Sequence, residues 1–173
     1  MSKLRAVECR EFIKAVIEKA DEMGVPVSIA VVGPEGHLIA LERMDEAGFI
    51  TPDTAIAKAY TVAAFRSMSP RFPDGLTIQH WFKERNPQLL IGLAALTNGK
   101  IAASGGGAPV FRGAEMVGAY GISGGTSQQD EVMAQYARAK VGWAHESTVE
   151  PNEDVKKHIN ELYAKAGITD HKL

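Results

Sequence analysis

Four places along the chain gather side chains capable of chemistry. Glu42-Arg43-Met44-Asp45 closes a run of mostly apolar residues. In a strand, alternate side chains share a face, so Arg43 and Asp45 point one way and Glu42 and Met44 the other. Lys58 sits on the helix expected next and can return near that strand end. Arg43, Asp45 and Lys58 then form a polar cluster able to hold an anionic group, with Arg43 supplying a planar fork. The same residues also make an ordinary ion pair tying strand to helix. His80 stands beside Trp81 and Phe82, an imidazole next to two flat apolar faces; two core anchors on a surface helix read the same way. Gly105-Gly106-Gly107, with Pro109 just beyond, exposes backbone N–H groups that can cradle an anion or oxyanion. The alternative is a bulge and sheet bend. Beside it, Ser123 to Asp130 places a helix N-terminus, which attracts negative charge. Ser127 and Asp130 have the spacing of a capping box, with Asp in place of Glu or Gln.

Other chemistries lack their patterns. The glycine run has neither the P-loop spacing nor the G-x-G-x-x-G of a dinucleotide loop. There is no C-x-x-C, H-x-x-x-H or H-E-x-x-H, so no dedicated zinc site is expected. No G-x-S-x-G elbow is present either. His37 falls at a turn, and His145, His158 and His171 lie in or near the tail.

The elements that position these residues follow from periodicity. With 173 residues, one hydrophobic core and one domain are expected. Lys and Arg total 19 against 21 Asp and Glu, which leaves no positive field for nucleic acid. No apolar run is long enough to cross a bilayer. Met1 to Arg10 mixes charges and lacks an apolar h-region, so a cytoplasmic protein is expected. Cys9, Ile13, Val16, Ile17 and Ala20 form a helical stripe over residues 4–23, and the lone cysteine reads as a buried hydrophobe. Residues 26–44 form a hairpin turning at Gly33-Pro34-Glu35-Gly36. Thr51-Pro52-Asp53 starts a helix with Thr51 as N-cap, running to about Phe65. A loop over 67–75 precedes short helices from Leu76 and Asn86. Strands are expected over 100–104, 109–111 and 116–123, with a turn at Arg112 to Glu115. A helix from about Gln128 to Trp143 follows. An amphipathic tail helix over 154–166 must dock on this chain or on a partner. The order α-β-β-α-α-α-β-β-β-α-α gives an α+β fold, an antiparallel sheet flanked by helices.

The segments Val27-Ser28-Ile29-Ala30-Val31-Val32, Gly33 to Gly36 and His37 to Asp45 resemble the first hairpin of the GlcG/HbpS-like family, also called haem-degrading or PduO C-terminal-like. The first helix and the Ala-rich run Thr54 to Phe65 match too. So do Gly105 to Val110, Val117 to Gly125 and Gln129-Asp130-Glu131. The resemblance covers roughly residues 4–140. It implies a profilin-like sandwich that forms homo-oligomers, in a family that includes a secreted haem-binding sensor, a domain fused to corrinoid adenosyltransferases, and proteins encoded among catabolic genes. The chain departs from the pattern at Ser67–Arg85 and after Gly142, so residues 1–145 are expected as the family domain and 146–173 as a helical extension.

Two functions stay open on this reading. The first is a small-ligand-binding protein, with haem or another tetrapyrrole as the ligand class and no other cofactor. Arg43 and Lys58 would meet its acid groups, and His80, Trp81, Phe82 and Met44 would supply an axial ligand and apolar contacts. Gly105, Gly106, Gly107 and Pro109 would form a pocket wall. The second is a cofactor-free acid–base enzyme acting on a small carboxylate or carbonyl compound. Here Arg43 would bind substrate, Glu42 or Asp45 would serve as base, and the glycine loop would stabilise an oxyanion. A scaffold subunit without a small ligand is a third.

Overall fold

In a computed structural model that describes residues 3–167, the chain folds as α1 (Ala6–Met23), β1 (Ser28–Val32), β2 (Leu38–Arg43), α2 (Thr51–Met68), α3 (Gly75–Arg85), α4 (Pro87–Leu96), β3 (Gly107–Arg112), β4 (Glu115–Ser123), α5 (Ser127–Val141) and α6 (Glu153–Ala166). His171 and its neighbours over 168–173 lie outside the described residues. The strands run in the order β2-β1-β4-β3, and every pairing is antiparallel.

The sheet is covered on both faces, and strand alternation divides the core. Ile29 and Val31 of β1, with Tyr120 and Ile122 of β4, pack against α1 and α5. Val32 and Ala119 pack against α2 and α3. On the first face Phe12 of α1 lies 4.7 Å from the Tyr120 ring and stacks on Trp143 at 4.6 Å. Each such ring or branched chain contributes about 1.5–3 kcal/mol through burial. Cys9 belongs to this core, and burial pushes its thiol up to about 11, as expected for a packing residue. On the second face α2 lies almost on the sheet. A Cβ built on Gly121 would fall 2.2 Å from the Ala55 carbonyl oxygen, so glycine there is what allows the approach.

Three local expectations change. Lys100–Ser104 forms no strand. Ala102 N–H donates to Thr61 Oγ1 at 2.8 Å instead of to a neighbouring strand, and β3 begins within the glycine run, at Gly107. Pro109 is tolerated in β3 because that strand is at the sheet edge. Thr51 is the first helical residue of α2 and not its cap; its hydroxyl bonds to Gly48 O and pairs with buried Ser28 Oγ, both at 2.7 Å. The cap of α5 sits one residue earlier than expected. Thr126 Oγ1 accepts from Gln129 N–H while the Gln129 side chain accepts from Thr126 N–H, and the Asp130 carboxylate is taken by Lys58 and Gly125 N–H instead.

Helix α6 packs chiefly on α3. Its apolar stripe, Val155, Ile159 and Tyr163, forms a small cluster apart from the two main ones. Lys165 pairs with Glu84 of α3 at 2.7 Å.

Candidate functional site

Sequence-adjacent polar residues are pulled apart by the sheet. Arg43 is exposed at the end of β2, where its Nε donates to Ala47 O at 2.9 Å, and Glu42 and Asp45 are exposed beside it. Met44 is half-buried, and its sulfur accepts from Val27 N–H at 3.3 Å. Met44 and Asp45 border a hollow of about 360 Å³ near Gly24 and Pro26. Lys58 goes elsewhere. It lies over β4, which is separated from β2 by β1, about 10 Å away at ordinary strand spacing. Its Nζ donates to Asp130 Oδ2 and to Ile122 O, both at 2.8 Å. The Arg43–Asp45–Lys58 cluster expected from sequence therefore does not assemble.

Asp130 is correspondingly not a capping residue. It is fully buried and also accepts from Gly125 N–H at 3.0 Å. Burial raises its pKa, with the Lys58 ammonium opposing.

The three glycines sit where α5 and α2 press on the loop. A Cβ on Gly105 would come within 2.9 Å of Ser127 Cβ, and one on Gly106 within 2.6 Å of Asp130 Cβ; Gly106 also has φ +87°. Gly107 faces Val62 and the Lys58 carbonyl. The loop does turn an N–H toward an acid, as its composition allows. Gly106 N–H acts on the carboxylate of Glu131, a residue of the protein itself, and favours its charged form.

Glu131 opens onto a cavity of about 490 Å³ between α3 and α5, floored by Ala108 of β3 and walled by Tyr163 of α6. His80 lines it. Trp81 and Phe82 do not: Phe82 is sealed in the second core, and Trp81 meets it edge-on at 4.8 Å and Phe72 at 5.6 Å. Consecutive side chains of α3 point in different directions, about 100° apart, and this separates the imidazole from its aromatic neighbours in sequence.

The electrostatics of the cavity centre on α5. Arg138 Nη1 donates to the buried Tyr120 hydroxyl and lies 3.6 Å from Glu131 Oε1. Burial pushes the Glu131 carboxyl above its ordinary range, with Arg138 pulling it back. Asp74 caps α3 by accepting from Thr77 N–H at 2.8 Å, and its second oxygen accepts from Tyr163 OH at 2.7 Å. His145 completes the rim beside Glu146. A carboxyl, two imidazoles and a guanidinium thus share one enclosure of ligand size. Sequence reading missed Glu131, Arg138, Asp74, Tyr163 and His145 as site residues. A signal existed for α5: Gln128, Glu131, Gln135 and Arg138 fall at i, i+3, i+7 and i+10, one polar face of a helix otherwise buried on Met133, Ala134 and Ala137.

Comparison with known proteins adds a lineage. A 15.0 kDa uncharacterized protein of the dhaT-dhaS intergenic region in Citrobacter freundii is 33% identical over 128 residues, spanning 74% of this chain and 84% of that one. The corrinoid adenosyltransferase PduO of Salmonella typhimurium is 28% identical over 134 residues, but the match spans only 38% of its length. Among solved structures, a PduOC–haem complex superposes with a TM-score of 0.70 at 27% identity, covering 84% of this chain and 100% of that one. The protein ORFY of Klebsiella pneumoniae gives 0.67 at 28%, covering 82% and 93%. HbpS gives 0.65 at 23%, covering 81% and 91%, a likeness of fold. The family model of the haem-degrading protein HbpS-like type matches residues 4–139, and the chain belongs to that HbpS-like family.

Proposed function

We propose that this chain binds a small ligand in the cavity between α3 and α5, and that the ligand is haem or another tetrapyrrole. The observation that carries the reading is that His80 lines that enclosure together with His145. An imidazole nitrogen is an ordinary axial ligand for haem iron, and Arg138 offers a cation for an acid group. The donor set fits. The apolar contacts come from Leu76, Ala108 and Val132, since Trp81 and Phe82 are used in the core. The haem-bound relative of the same fold supports the ligand class. Haemin uptake by the full chain, followed at the Soret band, tests the proposal. Saturable binding weakened in His80→Ala supports it, and non-saturating binding overturns it.

A second reading, a cofactor-free acid–base enzyme acting on a small carboxylate or carbonyl compound, draws on Glu131. A carboxyl held above its ordinary range beside a guanidinium is a competent acid or base. In that reading Glu131 replaces Glu42 and Asp45, which lie outside the cavity.

We further propose that the chain is a homo-oligomer. Helix α4 is strongly apolar yet buries none of its residues fully, and Leu89, Ile91 and Leu96 are exposed along it. Exposed apolar surface of this kind marks an interface. No described helix is long and apolar enough to cross a membrane. The cytoplasmic assignment rests on the sequence alone.

A further inference from the structure

Arg138 is a charge that the protein has buried and only half used. Its side chain retains 9% of its exposure, and a guanidinium stays protonated at any working pH. A buried charge demands partners. Nη1 has one in the Tyr120 hydroxyl. The carboxylate beside it, Glu131, is 3.6 Å away, beyond hydrogen-bond reach. Gly106 N–H and Gln135 also favour the charged form of that carboxylate. Among the described residues, Nε and Nη2 of Arg138 have no acceptor. They are not sealed in the interior either, since the one buried side-chain nitrogen or oxygen without a partner among the described residues is His158 Nε2. Arg138 is one of the side chains that line the cavity.

The Nε–Nη2 edge is the side-on fork of the guanidinium, two parallel N–H donors matched to two coplanar oxygens. We propose that Arg138 makes the cavity a carboxylate site, taking a ligand carboxylate bidentately on its Nε–Nη2 edge. A phosphate would also match the fork. The cavity, however, already holds the Asp74 and Glu131 carboxyls, and a doubly charged group meets more repulsion from them than a singly charged one. The glutamines on the same face of α5, Gln128 and Gln135, offer neutral amides for the rest of the ligand. The inference rests on reading the cavity as the ligand site. It names the ligand's anchoring group and leaves two sources for it, a tetrapyrrole propionate and a free small acid.

The test is a set of binding titrations on the full chain and on Arg138→Lys, which keeps the charge and loses the fork. The probes are haemin, haemin dimethyl ester and succinate. Loss of a bidentate, charge-assisted pair weakens binding by about tenfold or more. A propionate source gives tight haemin, weak ester, and a drop in the variant for haemin alone. A small-acid source gives saturable succinate binding that falls in the variant while haemin does not bind; the tetrapyrrole reading then fails and the carboxylate site stands. Haemin and its ester binding alike, or acid binding equal in wild type and variant, overturns the site even with haem binding intact. If no probe binds, both fail. Should Arg138→Lys not fold, the Arg138 Nε–H signal of wild-type protein is followed by NMR with succinate and with diamagnetic zinc protoporphyrin. A saturable shift with neither probe overturns the proposal.

Discussion

Lys58 of α2 and Asp130 of α5 meet at 2.8 Å inside the protein, with 6% and 1% of their side chains exposed. They are 72 residues apart in sequence and approach from opposite sides of the glycine run. The pair fixes the start of α5, and α5 carries Glu131 and Arg138 into the cavity. Asp130 Oδ1 accepts from Gly125 N–H, and Lys58 Nζ donates a second hydrogen bond to Ile122 O; such added hydrogen bonds help a buried pair to be tolerated.

Removing one partner strands the other. Lys58→Met is expected to cost about 3–5 kcal/mol, because Asp130 is left buried without its counter-ion. Lys58→Met with Asp130→Asn removes both charges, keeps an acceptor for Gly125 N–H, and should recover at least half of the loss. Denaturant unfolding of the three proteins checks this. A single variant within about 1 kcal/mol of wild type contradicts it.

Gly121 and Gly92 should respond with opposite sign. At Gly121 a Cβ would strike the Ala55 carbonyl at 2.2 Å and Ala59 N at 2.8 Å, both backbone atoms of α2. Gly121→Ala is expected to destabilise by about 1–3 kcal/mol or more, as overpacking does. Gly92 lies in α4 with nothing within 4 Å of a built Cβ, so Gly92→Ala should stabilise by about 0.5–1 kcal/mol. Thermal melts decide; equal effects at the two sites contradict the packing account.

Helix α6 should loosen in acid. Burial holds the His158 imidazole below its ordinary value, and Arg71, Arg85 and Lys165 add to this against Glu161. Its Nε2 has no partner. Because the folded value is the lower one, the unfolded chain binds more protons as pH falls through about 6.5, and stability falls with it. Amide protection across α6 should decrease below about pH 6.5, and His158→Leu should remove the dependence. A pH-dependence of the same size in His158→Leu assigns the effect to another group.

The apolar face of α4 offers the most direct handle on assembly. Ile91, 70% exposed, can change to Glu without disturbing either core. Under the oligomer proposal, Ile91→Glu should lower the mass found by sedimentation equilibrium. A wild-type monomer, or an unchanged oligomer in the variant, places the interface elsewhere or removes it.

Local signals carried most of the fold. The stripe of Cys9, Ile13 and Val16, the Gly33–Gly36 turn and the Asn86 cap each depend on residues a few positions apart, and each appears where the pattern puts it. Lys100–Ser104 misled because strand pairing is not local. Its composition suits a strand, but Thr61 takes its Ala102 N–H and no strand lies beside it. The site failed for the same reason. Arg43 and Lys58 look close through the connection between β2 and α2, yet β1 lies between the strands they serve. His80 parted from Trp81 and Phe82 because neighbours on a helix point in different directions. Glu131 and Arg138 were legible only as a polar stripe on α5, and that stripe acquires meaning once α3 and α6 enclose it.

The central claim is that the ligand occupies the cavity between α3 and α5. Val132 lines that cavity from α5 and is 44% exposed, so Val132→Trp can fill the space from its rim and leave the core intact. The decisive measurement is a haemin titration at the Soret band of wild-type chain and of Val132→Trp, with melting curves confirming that both are folded. The account expects saturable binding of one haemin per chain in wild type and its loss in the variant. Equal binding in the two would contradict the account by placing the ligand outside the cavity, and absence of binding in wild type would contradict the tetrapyrrole assignment itself.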